Sequence, residues 1–300
     1  MHRVVITGGT GLIGSRLSTL LAADGWEVVH LTRGETKKEK YGSFRWDPGS
    51  GYCDVNAFRE GDAIVHLAAS NIGQGRWTEA RKKEIIRSRT ISGDLIYRMT
   101  IGSDITPSVF ITASGVNYYG SGISEHAFTE NDPPAKDFLG ETCRLWEAAS
   151  DPFSEAGVRV VKLRTAVVMA QSGSALNRMT APAMAGLIVR LSPGNQYFPW
   201  IHIDDLCGIY HRALSDSTLT GPYNAVAPHH VTHDQLMGEV ARLKGLPVFL
   251  PHVPVWLLRV VLGEMSVVLT RGSRISSDRI SATGFRFRYP DISSALRSCL

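Results

Sequence analysis

The chain has 300 residues, 43% hydrophobic and 20% charged, which is long enough for a large core that needs neither disulfides nor metals. Its 32 basic residues against 28 acidic ones leave a formal charge of only +4. That excludes a nucleic-acid binder as first choice, since such a protein needs a broad basic surface with stacking or base-reading groups.

Taken in chain order, "RVVIT" from Arg3 predicts a buried strand, and "TGGTGLIG" from Thr7 leads into a helix expected over 15–24. "EVVHLT" from Glu27 and "AIVHLA" from Ala63 read as further strands, followed by a long polar helix from Thr78 to Met99. "SVFITAS" from Ser108 and "RVVKLRTAVVM" from Arg159 each predict one more strand. Apolar strands alternating with helices imply an α/β fold, a doubly wound parallel sheet covered on both faces.

From Ser172 the composition turns rich in Gly, Ala and Met, and "WIHIDDL" from Trp200 then restores a strand-to-helix pattern with Asp204 or Asp205 as the expected cap. A dinucleotide-binding domain over 1–171 plus 200–225 and a small substrate lobe over 172–199 plus 226–300 follow from these shifts. The apolar run "VPVWLLRVVLGEMSVVLT" is interrupted by Arg259 and Glu264 and falls short of a membrane span. No charged leader pattern precedes Val4, so a cytoplasmic location is expected. Cys53, Cys143, Cys207 and Cys299 lack metal-ligand spacing and read as reduced thiols, with no metal site.

Gly8, Gly11 and Gly14 form GxxGxxG between a strand and a helix. Gly8 permits a tight turn, Gly11 a close approach of backbone to a pyrophosphate, and Gly14 close helix packing. Thr10, Leu12 and Ile13 would border the same phosphates, which face the positive end of the helix. At the end of the second strand an NAD site would place Asp or Glu, but here stand Thr32 and Arg33. A guanidinium there suits a 2′-phosphate, with Lys37 or Lys38 nearby, so NADP(H) is favoured over NAD.

With "TGGTGLIG", "DAIVHLAA" from Asp62, "ITASGVNYYG" from Ile111, "LRTAVV" from Leu163 and "WIHIDDL" in order, the chain resembles an extended short-chain dehydrogenase/reductase. Within that superfamily it is similar to the branch called epimerase family proteins (family 39U), through "GRWTEARKKEIIRSR" from Gly75, "LWE" from Leu145, "QYFPWIHIDD" from Gln196 and "GFRFRYPDI" from Gly284. The resemblance implies a Rossmann fold, NADP(H) on the glycine loop and a small C-terminal α/β lobe of the DUF1731 kind. It places Leu67, Ala68 and Ala69 along the cofactor, and Trp46 and Asp47 near the adenine, with a plain turn role for Asp47 as the equal alternative. The implied partners are a small-molecule substrate and a second copy of the chain.

Superfamily members transfer hydride with a YxxxK pair, in which the Lys charge favours the phenolate. Anchoring on Glu147 puts Leu139 in the Tyr position and Cys143 in the Lys position, so both groups are missing. Ser114 and Tyr118 are the candidate catalytic contacts to a substrate oxygen, with Tyr119 beside them. Arg76, Trp77, Arg89, Arg164 and His202 are candidate substrate grips. For Arg89 a salt bridge to Glu147 competes with that role, and for His202 burial with a hydrogen bond to Asp204 or Asp205. Cys143 as a nucleophile would need a depressed pKa. Three functions remain open: an NADP(H)-dependent oxidoreductase acting on a small polar substrate, a cofactor-binding regulator without catalysis, and a nucleotide-sugar epimerase.

Overall fold

A computed structural model of the chain describes residues 2–34, 40–181, 183, 186–248 and 252–300. The elements in the first half are β1 (Arg3–Thr7), α1 (Leu12–Ala23), β2 (Glu27–Thr32), β3 (Gly42–Asp47), β4 (Tyr52–Cys53), β5 (Ala63–His66), α2 (Glu79–Met99), β6 (Val109–Gly115), β7 (Ile123–Phe128) and α3 (Phe138–Ala148). There follow α4 (Asp151–Glu155), β8 (Arg159–Thr165), β9 (Val167–Met169), α5 (Ala175–Thr180), β10 (Trp200–His202), α6 (Ile203–Ser215) and β11 (Gly221–Ala225). The chain ends with α7 (His233–Lys244), α8 (Val255–Leu262), α9 (Val267–Thr270), β12 (Gly272–Ile275), α10 (Asp278–Ala282) and α11 (Ile292–Cys299).

Eight strands form one sheet in the order β11-β8-β6-β5-β1-β2-β3-β4, with every pairing parallel except β3 with β4. Successive residues of β1 serve opposite faces. Val4 and Ile6 pack with Leu17 of α1 and Leu206 of α6, whereas Val5 packs with Leu95 of α2 and Phe153 of α4. This two-sided burial is why the strands read as unbroken apolar runs. Strand order reverses between β1 and β5, which opens the crevice at their C-terminal ends where such sheets take ligands.

Two boundaries differ from the sequence expectation. The run "RVVKLRTAVVM" is two strands, because Ala166 N donates the last ladder bond to Ala225 O and Val167 N then turns to Pro199 O. The first helix begins three residues early, capped by Gly11.

A separate core gathers Met169, Leu176, Trp200, Leu236, Val240, Ile292 and Leu296. Met169 and Trp200 thus serve the second core from segments assigned by composition to the first domain. The small two-stranded sheets are likewise shared, since β9 pairs with β10 and β7 with the distant β12. The apolar run from Val253 folds as α8, a 3-10 turn and α9. No helix among the described residues is long and apolar enough to cross a membrane.

Candidate functional site

The glycine loop lies at the crevice. Gly8 adopts φ +68°, and a Cβ there would stand 3.1 Å from Ala68 N, so only glycine suits both the turn and the approach. A Cβ on Gly14 would overlap Gly8 O and come within 2.7 Å of Gly9 Cα. Thr7 Oγ1 accepts from Leu67 N and Ala68 N at 3.0 Å each, fixing the outgoing end of β5 against the loop. Thr10, Gly11 and Ala69 are exposed at this rim, and Leu12, Ile13, Leu67 and Ala68 are half-buried behind it. The first turn of α1 holds no acidic residue, so its positive end is left for an anion.

Arg33 is exposed just beyond β2 and makes no hydrogen bond or ion pair among the described residues. Lys37 and Lys38 lie outside the described residues. Asp47 is a turn residue here: its carboxylate accepts from Gly49 N at 3.0 Å and from Ser50 Oγ at 2.8 Å.

At the C-terminal edge of the sheet, register aligns Ser114 of β6 with Arg164 of β8 and Arg164 with Asn224 of β11. In-register parallel neighbours share a face. Glu147 of α3 descends on this row. Ser114 Oγ donates to Glu147 Oε1 at 2.8 Å, and Arg164 donates to the same carboxylate at 2.8 and 3.0 Å. Arg164 also donates to Tyr119 Oη at 2.9 Å, which in turn donates to Asn224 Oδ1 at 2.7 Å. Burial disfavours the Arg164 charge, but Glu147 outweighs it and holds its pKa above the ordinary value.

Sequence reasoning used Glu147 as a spacing anchor and as a possible partner of Arg89, and never paired it with Arg164. The available signal was a charged residue at a buried position of both an apolar strand and an amphipathic helix, because such charges require partners. The network settles what its members can do. Tyr119 has spent its hydroxyl, and burial pushes it up to about 12. Tyr118 is half-buried with the Arg164 guanidinium 3.5 Å from its ring centroid. Burial raises Tyr118 as well, against the opposing field of Arg164. Ser114 is buried and has committed its proton to Glu147, so its oxygen is left only as an acceptor.

The other candidates separate. Cys143 is fully buried one turn after Leu139, and burial pushes its thiol up to about 12, with Glu147 adding and Arg89 opposing. It is therefore no nucleophile at neutral pH. Arg89 does not bridge to Glu147. It donates to Ser70 O and Ile85 O at 3.2 and 2.8 Å, with its guanidinium 4.6 Å from the Trp146 ring centroid. Burial lowers it to about 10. Arg76 is a clamp rather than a grip, donating to the carbonyls of Val260 and Val261 at the end of α8.

His202, not Asp204 or Asp205, caps α6. Its Nδ1 accepts from Asp204 N at 3.1 Å and its Nε2 meets Ser298 Oγ at 3.0 Å. Both ring nitrogens are engaged, which removes His202 from the substrate grips. Asp205 instead accepts from Arg288 N and Tyr289 N, tying the C-terminal segment to α6. All four cysteines are buried and free, and no cluster among the described residues could hold a metal ion.

Trp77 does reach a cavity. A space of about 620 Å³ lies between the start of α3 and the α8–α9 segment, walled by Trp77, Ile123, Phe138, Leu139, Val255 and Val267. That size is ordinary for a small-molecule site, whose usual range is about 300–1,000 Å³. The wall is mainly apolar, where a polar substrate was expected.

Fold and crevice define a Rossmann-type α/β protein built on the extended short-chain dehydrogenase/reductase plan. Residues 4–225 match the NAD dependent epimerase/dehydratase family, and residues 253–299 match the domain of unknown function DUF1731. The chain belongs to the NAD dependent epimerase/dehydratase family. Epimerase family protein YfhF of Bacillus subtilis (strain 168) is 32% identical over 98% of this chain and 96% of that protein. An Arabidopsis thaliana relative, the chloroplastic SDR39U1 homolog, is 33% identical over 99% of this chain and 86% of its own length. The crystal structure of human epimerase family protein SDR39U1 (isoform 2) with NADPH is also similar, at 32% identity and TM-score 0.86, covering 99% of this chain and 98% of that one.

Proposed function

We propose that the protein is an NADP(H)-dependent oxidoreductase that reduces the carbonyl group of a small substrate. The observation that carries this reading is the glycine loop at the strand-order reversal, closed to any Cβ at Gly8 and Gly14 and leading into a helix tip without acidic residues. The donor set fits the group. Main-chain N–H groups of Thr10, Leu12, Ile13 and Gly14 would hold the pyrophosphate, Arg33 the 2′-phosphate, and Leu67, Ala68 and Ala69 would border the rest. The NADPH of the human relative supports the choice of NADP(H).

When bound, the cofactor supplies a hydride. The chain's own residues orient and protonate. Ser114 Oγ, with its proton held by Glu147, accepts from a substrate hydroxyl. Tyr118, like any phenol, is protonated at neutral pH, and burial raises it further, so it is a donor to a carbonyl oxygen. This division replaces the Tyr and Lys absent at Leu139 and Cys143.

Titration calorimetry with NADPH and NADH tests the cofactor, with tighter binding of NADPH expected and no heat from either defeating the reading. NADPH consumption with a panel of aldehydes and ketones, lost in Tyr118→Phe, tests the chemistry. A second reading, a cofactor-binding regulator, draws on Leu139 and the inert Cys143. Tight NADPH binding with no turnover across the panel would favour it.

A further inference from the structure

We propose that the cavity between α3 and the α8–α9 segment takes an amphipathic anion, with an apolar body against Trp77, Phe138, Leu139, Val255 and Val267 and a carboxylate or phosphate head at Arg259 and Arg271. Its role as a substrate site rests on the oxidoreductase reading above.

The polar groups of the wall are mostly already spent. Trp77 Nε1 donates to Ile72 O at 2.9 Å. Asp137 takes Ser121 N and Oγ at 2.9 and 2.7 Å and Gly140 N at 2.8 Å, while Thr270 Oγ1 donates to Ser266 O at 3.0 Å. Glu264 pairs with Lys82 at 2.7 Å. What remains is the Ser266 hydroxyl and two lining guanidinium groups, Arg259 and Arg271, the latter two exposed and without hydrogen bond or ion pair among the described residues. An apolar wall with unspent positive charge at its rim selects an apolar molecule carrying an anionic head. A nucleotide sugar, which must satisfy many hydroxyl groups, finds few partners here.

Placement supports a role beside the cofactor crevice. Leu139 is a full helical turn before Cys143 on α3, and Cys143 Sγ lies 3.6 Å from where a Cβ on Gly115 would stand. The apolar wall thus adjoins the C-terminal end of β6, next to Ser114. On α8, Val255 and Arg259 are four residues apart and share the face toward the cavity. Arg76 pins the far end of that helix.

The test is displacement of 8-anilinonaphthalene-1-sulfonate fluorescence from the full chain, with and without saturating NADPH. Octanoate and octyl phosphate are expected to displace the probe at concentrations about tenfold below octanol and octylamine, the ratio that one charge-assisted contact confers. Which of the two anions acts at lower concentration identifies the head group. The exposed-site variants Arg259→Ala and Arg271→Ala should remove the anion advantage and leave octanol unchanged. Leu139→Trp should fill the cavity and abolish probe binding while the heat of NADPH binding persists. Octanol or octylamine matching the anions, an anion advantage surviving both arginine variants, displacement by UDP-glucose but not octanoate, or no probe binding would overturn the assignment. Absence of NADPH heat would instead defeat the oxidoreductase reading, and competition without cofactor would still judge the cavity.

Discussion

Glu147 holds Arg164 through two hydrogen bonds of 2.8 and 3.0 Å while accepting a third from Ser114, with the side chains of the ion pair only 7% and 3% exposed. Helix α3 is thereby fastened to the edge of the sheet at the residue proposed to meet substrate. A carboxylate so placed orients Ser114, and its charge is compensated by the arginine it fastens.

Removing one partner strands the other charge away from water. Glu147→Ala is expected to lower stability by about 3–5 kcal/mol, read as a reduced midpoint in urea denaturation. Replacing both residues with Met should recover much of that loss, whereas strictly additive losses would show that the two side chains are not coupled.

Gly14 abuts the turn at Gly8, with no room for a methyl group. Gly14→Ala should therefore shift the loop, lowering stability by roughly 1–3 kcal/mol as overpacking does, and weakening NADPH binding in the same titration. A variant with unchanged affinity would show that the loop does not hold the cofactor.

Arg33 is exposed and unpaired among the described residues, which suits a phosphate. Arg33→Asp is expected to weaken NADPH binding roughly 10- to 150-fold, the loss of one hydrogen-bonded charge worth about 1.5–3 kcal/mol. NADH affinity should hold or improve. Unchanged selectivity by calorimetry would refute the assignment.

His66 is buried with Nδ1 at 2.8 Å from Thr7 Oγ1 and Nε2 at 2.9 Å from Ser92 Oγ, and burial lowers its pKa to about 4. His233 is lowered to about 4 as well, again chiefly by burial. The unfolded chain, with histidines near 6.5, binds more protons than the folded one between about pH 6.5 and 4, so stability falls as pH drops through that window. Each histidine should contribute a loss of about 2 kcal/mol between pH 7 and pH 5. Denaturant midpoints across that range should flatten in His66→Gln, and an equal slope in the variant would exclude His66 as a source.

Restoring the superfamily lysine should fail. Cys143→Lys would bury an ammonium beside Arg89 with no free carboxylate, because Glu147 is already held by Arg164. A loss of several kcal/mol is expected, visible as a lowered melting temperature. A stable variant would mean that the site has room and charge to spare.

Much of the cofactor half was legible in the chain itself. The glycine spacing, the strand before it and the helix after it are contiguous, and a turn closed to Cβ atoms can be read from residue types alone. Leu139 and Cys143, where the resemblance led one to expect Tyr and Lys, were legible for the same reason, as two positions one helical turn apart. The cap of α6 was misread because Asp204 and His202 can both accept a backbone N–H, and only the start of the helix decides which does. The apolar cavity wall is assembled from Trp77, β7, α3, α8 and α9, which no single segment reveals.

The sequence by itself determined the doubly wound sheet and the phosphate loop, since both depend on local backbone freedom and on apolar periodicity within short stretches. The tertiary structure alone decided the network from Ser114 to Asn224, whose bonds span 33, 17, 45 and 105 residues. It also decided the pairing of β7 with β12. Contacts over such separations follow from how strands order and register in the sheet. Burial then turns a nearby pair of charges into a necessary one.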